Sequence, residues 1–341
     1  MKVLIADKFE QEGIDALVSL GCDVVSEPGL RAEDLPAALA SHDPAVLIVR
    51  STKVRADAIA AAKSLGLIVR AGSGYDNIDC DAAAAREIGV CNCPGMNAVA
   101  VAELAMGLLL CCDRRLPDQT DALRAGTWDK KGFAKARGLK GRVLGVVGLG
   151  SIGRELVLRA RAFGMDIHVW SRSMNAARAE EIGASWWGTT REDLLTLAAA
   201  ADAVSVHVAL TDETKGLCDA AFFSKLKSGA YFINTARGPV VDEAALAEAV
   251  KSKGVRCGLD VWQHQPAPTD STFASDLVHL PGVYGTHHCG ASTDQAQMAV
   301  AEEAVRIIRA FKETGRFENR VNGPAVTPTV CATKPSIQPI R

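Results

Sequence analysis

Arg237 follows the apolar run 230–234 in the segment Asn234-Thr235-Ala236-Arg237-Gly238, and His288 follows the run 283–285 in Thr286-His287-His288-Cys289-Gly290-Ala291-Ser292-Thr293. Between them, the run 255–259 leads into Asp260-Val261-Trp262-Gln263-His264-Gln265-Pro266. A guanidinium beside small residues can hold a carboxylate through its fixed fork and polarise an adjacent carbonyl. An imidazole changes charge near neutral pH and passes protons. Taken singly, the arginine could be a surface ion pair and the histidine a structural residue. What joins them is their recurrence after successive apolar runs, because doubly wound sheets bind ligands beyond the carboxyl ends of their strands.

A further segment offers an anion site. Gly148-Leu149-Gly150-Ser151-Ile152-Gly153 comes directly after Val143 to Val147 and before a helical pattern that begins at Arg154. A strand, a tight glycine turn and a helix N-terminus together aim free N–H groups and the helix dipole at a pyrophosphate. In a dinucleotide fold an acid about 20 residues later holds the ribose 2′-hydroxyl of NAD. Here the strand pattern 166–170 runs instead into Ser171-Arg172-Ser173. An arginine flanked by hydroxyls suits a 2′-phosphate, which a carboxylate would repel. NADP(H) is therefore the expected cofactor, and the alternative is NAD(H) held without the usual acidic clamp.

These segments need a scaffold that ends strands beside one another. Apolar runs alternate with amphipathic segments from end to end, the pattern of parallel α/β construction. The first series covers Val3–Ala6, Asp23–Ser26, Ala45–Val49, Leu67–Ala71 and Val90–Asn92; the second covers Val143–Val147, Ile167–Trp170, Ala203–Val208, Ala230–Asn234, Val255–Leu259 and Val283–Gly285. Asn97 to Cys112 reads as a long helix with Asn97 at its N-cap, and Thr293 to Thr314 as another. The expected tail 325–341 carries Pro328, Pro335 and Pro339 without a core pattern. At 341 residues the chain has room for two domains of about 100–200 residues each.

With 48% hydrophobic and 23% charged residues it can bury a large core, and a net charge of -2 without basic blocks points to neither nucleic acid nor membrane binding. The opening Met1 to Asp7 reads as a buried strand, not an export signal. Ten cysteines are then expected as reduced, cytosolic thiols. Cys91-Asn92-Cys93 and Cys111-Cys112 lack the spacing of a zinc site, so they are assigned to core packing and no metal is expected.

In their order, NTARG with Arg237, GLDVW with Asp260 and THHCGAST with His288 make the chain similar to the D-2-hydroxyacid dehydrogenase family, up to about Pro324. The resemblance implies two doubly wound parallel-sheet domains, with a Rossmann-type nucleotide domain (99–292) inserted into a flavodoxin-like substrate domain (1–98 and 293–324). It implies an active site in the cleft between them. There Arg237 would bind the substrate's carboxylate and oxygen, and His288 would donate or take the proton that accompanies hydride transfer. Asp260 would lie near the nicotinamide amide. His207, Ala209, Thr235, Ala236 and His288 would join Gly148, Gly150, Ser151, Ile152, Gly153 and the Ser171–Ser173 segment around the cofactor. A homodimer formed through the nucleotide domains is also implied, with the small-residue helix Ala98 to Leu110 as its candidate surface.

One catalytic position departs from the family. Where the family has a glutamate paired with the histidine, this chain has Gln265. A carboxylate stabilises imidazolium and raises its pKa, whereas a neutral amide orients the ring without that charge. His288 is thus expected to stay neutral to lower pH. The same glutamine resembles the formate dehydrogenase branch, whose reaction needs no proton acceptor.

The N-terminal segments resemble the 3-phosphoglycerate dehydrogenase branch instead: Val49-Arg50-Ser51-Thr52-Lys53-Val54, Arg70-Ala71-Gly72-Ser73-Gly74-Tyr75-Asp76-Asn77-Ile78-Asp79, Pro94-Gly95-Met96-Asn97 and Trp128-Asp129-Lys130-Lys131-Gly132-Phe133. Arg50, Lys53 and Arg70 sit in expected strand-end loops and could hold a phosphate. Ser51 and Asn97 would sit beside them, and the backbone of Ala71, Gly72, Ser73 and Gly74 could receive a carboxylate. The expected substrate pair is 3-phosphoglycerate and 3-phosphohydroxypyruvate. Hydroxypyruvate or glyoxylate reduction, formate oxidation and a nucleotide-sensing corepressor role stay open as alternatives.

Overall fold

The computed structural model describes residues 1–266 and 272–323. The expected tail 325–341 lies outside the described residues. The apolar runs form two all-parallel sheets. The first contains β1 (Lys2–Ile5), β2 (Asp23–Ser26), β3 (Val46–Val49), β4 (Leu67–Arg70) and β5 (Gly89–Asn92) in the order β2-β1-β3-β4-β5. This is the flavodoxin-like winding. The second contains β6 (Val143–Val147), β7 (Asp166–Trp170), β8 (Trp186–Gly188), β9 (Ala203–Val206), β10 (Tyr231–Asn234), β11 (Arg256–Leu259) and β12 (Val283–Gly285). Its order β12-β11-β10-β9-β6-β7-β8 reproduces the Rossmann winding and adds one strand at the far edge.

Runs such as Val46-Leu47-Ile48-Val49 are buried at every position, because helices cover both faces of a parallel sheet. The helix Asp294–Thr314 returns to the first sheet: Ala304, Val305, Ile307 and Ile308 pack with Val3, Ile5, Val46 and Ile48. Residues from both ends of the chain therefore share one core. Each winding reverses direction at its first strand, β1 in one sheet and β6 in the other, which opens a crevice at the strands' carboxyl ends.

Three expectations need correction. β8 was not expected: its Trp186-Trp187-Gly188 is short and lies at a sheet edge, too brief for a periodic signal. Asn97 holds the N-cap position of the helix Ala98–Arg114 but makes no capping hydrogen bond, since its Oδ1 accepts from Ser73 Oγ at 2.7 Å. The small-residue face of that helix is buried inside the chain, where Ala102, Ala105, Leu108 and Leu109 pack with Leu156, Val157 and Ile233. On that helix Val99 stays 47% exposed, and further apolar surface follows at Leu116, Leu123 and Trp128, the last 81% exposed.

The described cysteines are all free, and most are buried. Among the described residues no cluster of acidic, histidine or cysteine side chains could hold a metal ion, and no helix is long and apolar enough to cross a membrane.

Candidate active site

The two sheets face each other across a cleft of about 780 Å³. Of the residues expected to bind substrate, Arg50, Ser51, Arg70, Ala71, Gly72, Ser73, Gly74 and Asn97 line it. From the opposite wall come Ile152, His207, Ala209, Thr235, Ala236, Arg237, Asp260, Gln265 and His288. The lining does not extend to Gly148, Gly150, Ser151 and Gly153, or to Ser171, Arg172 and Ser173.

The turn after β6 is built for close approach. Gly148 has φ 100°, and a Cβ there would lie 2.7 Å from the His207 carbonyl oxygen. A Cβ on Gly153 would run into the Gly148 carbonyl. A Cβ on Gly150 would meet no protein atom, so packing within the chain does not demand glycine at that position. Gly150 is the N-cap of the helix Ser151–Ala162, and no side chain caps that helix. Its first N–H groups are therefore available to an anion. Deeper in the cleft, Thr235 Oγ1 and His207 Nδ1 are buried without hydrogen-bond partners, as bound cofactor groups would require of them. Enclosure pushes the His207 pKa down to about 3, so this imidazole is neutral. These features fit a dinucleotide.

Arg172 stands at the end of β7, largely exposed, and pairs with Glu213 from the loop after β9. Sequence reading missed this acid because it lies 41 residues away.

Arg237 is set by the turn that follows β10. Buried Asn234 accepts from the Ala236 N–H at 3.0 Å and donates to the Arg237 carbonyl at 3.0 Å, which brackets the turn. Gly238 lets the chain pass the backbone of Trp262, into which a Cβ would collide. The guanidinium reaches across the cleft: Nε lies 3.1 Å and Nη2 3.0 Å from Asp76 Oδ1, while Nη1 donates to the Ala236 carbonyl at 2.8 Å. Burial works against the Asp76 carboxylate, but the Arg237 charge and hydrogen bonds outweigh it and lower its pKa.

Asp260, 1% exposed, holds the loop that presents His288. Its Oδ1 accepts from Thr286 Oγ1 at 2.6 Å and from the Cys289 N–H at 2.9 Å; its Oδ2 accepts from the Gly290 N–H at 2.9 Å. The His288 N–H donates to the Asp260 carbonyl at 2.8 Å, and His288 itself has φ 53°. That left-handed backbone is uncommon outside glycine and is held here by the surrounding hydrogen bonds.

His288 Nδ1 lies 2.8 Å from Gln265 Nε2 and 3.0 Å from Gln265 Oε1. One amide orientation donates to Nδ1 and the other accepts from an Nδ1–H, so the pair is satisfied in more than one tautomer. The imidazole opens to the cleft, yet desolvation by the cleft walls lowers its pKa, and the Arg237 charge adds to the effect. Asp260 and Asp76 oppose it.

On the substrate wall, Arg70 ends β4 with its Nε buried and unpartnered. Burial, reinforced by the charges of Arg237 and Arg50, lowers its pKa to about 10. It remains a cation, in a setting that a bound anion would relieve. Arg50 Nη1 donates to Gln297 Oε1 at 2.7 Å. Ser51 differs from expectation: its Oγ and N–H, with the N–H groups of Arg50 and Thr52, are taken by the Asp7 carboxylate. Lys53 is exposed and outside the lining. Of the acids that line the cleft, Asp7, Glu10 and Asp76 had no assigned role. Asp7 follows the β1 run, and that strand-end position was the available signal.

Fold and cleft together define a doubly wound α/β protein that takes a dinucleotide beside a cation-lined cavity. The family profile described as D-isomer specific 2-hydroxyacid dehydrogenase, NAD binding domain, matches residues 106–290, and the chain belongs to this family. It is 40% identical over 317 residues to a hydroxypyruvate reductase from Thermotoga maritima, an alignment spanning 92% of this chain and 98% of that one. It is 37% identical over 334 residues to a D-3-phosphoglycerate dehydrogenase from Archaeoglobus fulgidus, spanning 96% of this chain and 60% of that protein's length. Among solved structures, it is similar to an NADPH-dependent glyoxylate/hydroxypyruvate reductase from Sinorhizobium meliloti in complex with NADP and malonate, with TM-score 0.79, 29% identity and coverage of 94% and 96% of the two chains.

Proposed function

We propose that this chain is a cytoplasmic NAD(P)-dependent D-2-hydroxyacid dehydrogenase, with 3-phosphoglycerate and 3-phosphohydroxypyruvate as its favoured substrate pair. The observation that carries the reading is the convergence of Arg50, Arg70 and Arg237 on one cleft with His288. Three guanidinium groups exceed what a one-carbon acid needs, and they match a ligand with a carboxylate at one end and a phosphate at the other. This weighs against formate as substrate. Residues 1–98 and 293–324 form the substrate domain in this reading, and 99–292 the nucleotide domain.

In the chemical step, Arg237 holds the keto acid's carboxylate and polarises its carbonyl. His288 gives a proton from Nε2 to the carbonyl oxygen during reduction and takes it back during oxidation. Gln265, at Nδ1, fixes the ring's direction. Asp260 keeps the 286–290 loop in place and would lie near the nicotinamide amide of a bound cofactor. The bound nicotinamide cofactor supplies or accepts the hydride. Gly148, Gly150, Ser151, Ile152 and Gly153 would hold its pyrophosphate, with His207, Ala209, Thr235 and Ala236 along its length.

Ser171, Arg172 and Ser173 favour NADP(H), provided that Arg172 exchanges Glu213 for the 2′-phosphate. If the pair stays closed, NAD(H) is bound instead. Hydroxypyruvate or glyoxylate reduction is the second reading, favoured by the nearly full-length match to the Thermotoga protein. A homodimer is part of the proposal, with Leu116, Leu123 and Trp128 as its apolar surface; a monomer by light scattering would remove that part. Steady-state assays of phosphohydroxypyruvate, hydroxypyruvate, glyoxylate and formate, each with both cofactors, test the function. Cofactor binding without turnover of any of them would favour a nucleotide sensor.

A further inference from the structure

The geometry points to Asp76 as a positioning residue that sets the direction of the Arg237 guanidinium and the charge it presents to the rest of the cleft. The two residues come from opposite walls, Asp76 from the loop after β4 and Arg237 from the turn after β10, 161 positions apart. Asp76 fills the edge of the guanidinium that carries Nε and Nη2, with Nε 3.1 Å from Oδ1 and 3.3 Å from Oδ2, and Nη2 3.0 Å from Oδ1. Nη1 is engaged by the Ala236 carbonyl at 2.8 Å. The edge best shaped for a carboxylate is thus taken by the protein itself, and an incoming 2-keto acid is met by the remaining hydrogens of the two Nη atoms. Gly74 makes the approach possible, since a Cβ there would run into Arg237 Nη2.

Two consequences follow. A guanidinium held at Nε and Nη2 by Asp76 and at Nη1 by the Ala236 carbonyl cannot swing to grip the substrate edge-on, so its aim at the carbonyl oxygen is preset. Its positive charge is also partly balanced before the ligand arrives, and this bears on His288. The groups that act on that imidazole are Gln265 at Nδ1, the cations Arg237 and Arg70, and the acids Asp260 and Asp76. Asp260, whose carboxylate also holds the 286–290 loop, and Asp76 both offset the two arginines, Asp260 the more strongly. Asp76 therefore helps to keep a proton on His288.

The inference rests on the proposed role of Arg237, and two readouts separate its failure from failure of that role. In the full chain, Asp76→Asn keeps the size of the side chain, removes its charge and turns one acceptor into a donor facing a donor. The expected result is a fall in kcat of about tenfold to a hundredfold, the scale of a misaimed catalytic group, with KM for phosphohydroxypyruvate or hydroxypyruvate unchanged or lower. In the same variant, without cofactor or substrate, the NMR titration of the His288 ring, assigned against His288→Gln, should move to lower pH. Asp76→Glu retains the charge at a different reach, so it should lose kcat while its His288 titration stays near that of the unmodified protein. Asp76→Asn with undiminished kcat, an unmoved His288 titration, or a rise in KM alongside a lower melting temperature would each overturn the proposal. Wild-type turnover of no 2-keto acid would defeat the functional reading, while the titration would still decide the charge claim.

Discussion

Replacing Gln265 by glutamate tests the proton-transfer argument at its most exposed point. His288 Nδ1 is already within 2.8–3.0 Å of the Gln265 amide, so the substitution exchanges an oxygen or nitrogen for a carboxylate oxygen with little change in size. At about 3 Å two unit charges interact by about 5 kcal/mol at an effective dielectric constant near 20. The cleft is open to water, so most of this is screened, and about 1.5–3 kcal/mol is a reasonable remainder, or roughly ten- to hundredfold in the imidazolium to imidazole ratio. The sign follows from the charge. A carboxylate stabilises the protonated ring, so the acid needed for reduction survives to higher pH, and the base needed for oxidation becomes available only at higher pH. The wild-type ring, whose pKa is lowered by the cleft and by Arg237, should lose its proton first. The assay is kcat/KM for keto-acid reduction against pH for both proteins. An alkaline displacement of the falling limb in Gln265→Glu is predicted. Superimposable profiles from two folded proteins would refute the pairing of position 265 with His288.

Arg70→Gln should raise KM for phosphohydroxypyruvate about tenfold or more while altering that for hydroxypyruvate much less, because a charge-assisted contact to phosphate is worth about 1.5–3 kcal/mol; equal effects on both would place Arg70 outside a phosphate site. Glu213→Gln should improve the NADP(H) to NAD(H) preference by up to about fivefold, the scale of a largely exposed ion pair removed from Arg172; an unchanged ratio of the two Kd values would count against this position. Asp260→Asn should destabilise the protein by about 1–3 kcal/mol in urea unfolding, since an amide cannot accept all three of the hydrogen bonds that Asp260 now receives. Unaltered stability would mean that the 286–290 loop is held by other contacts.

The sheet architecture was legible in the sequence because each parallel strand is buried on both faces and stands out as an unbroken apolar run, as in Val46-Leu47-Ile48-Val49. Trp186-Trp187-Gly188 escaped notice because three residues at a sheet edge leave no period to detect. The glycine turn was readable from its flanks, and the structure adds why Gly148 and Gly153 allow no side chain. Arg237 and His288 were legible as residue types at strand ends. Their partners were less so, since contacts such as Arg237 with Asp76 or Arg172 with Glu213 join positions far apart in the chain and leave no local pattern. Local pattern also misled in two places. Asn97 has the type and position of a capping residue, but Ser73 competes for its oxygen. Ser51 has the look of a ligand-binding hydroxyl, but Asp7, at the end of the neighbouring strand β1, takes it.

The central claim is that one cleft joins a dinucleotide to a doubly anionic 2-keto acid. Reduction of phosphohydroxypyruvate, hydroxypyruvate, glyoxylate and the corresponding oxidations, measured with NADP(H) and NAD(H) in parallel, tests it most directly. Turnover with phosphohydroxypyruvate as the substrate of highest kcat/KM is the predicted result. Tight cofactor binding with no turnover of any 2-keto acid would contradict it.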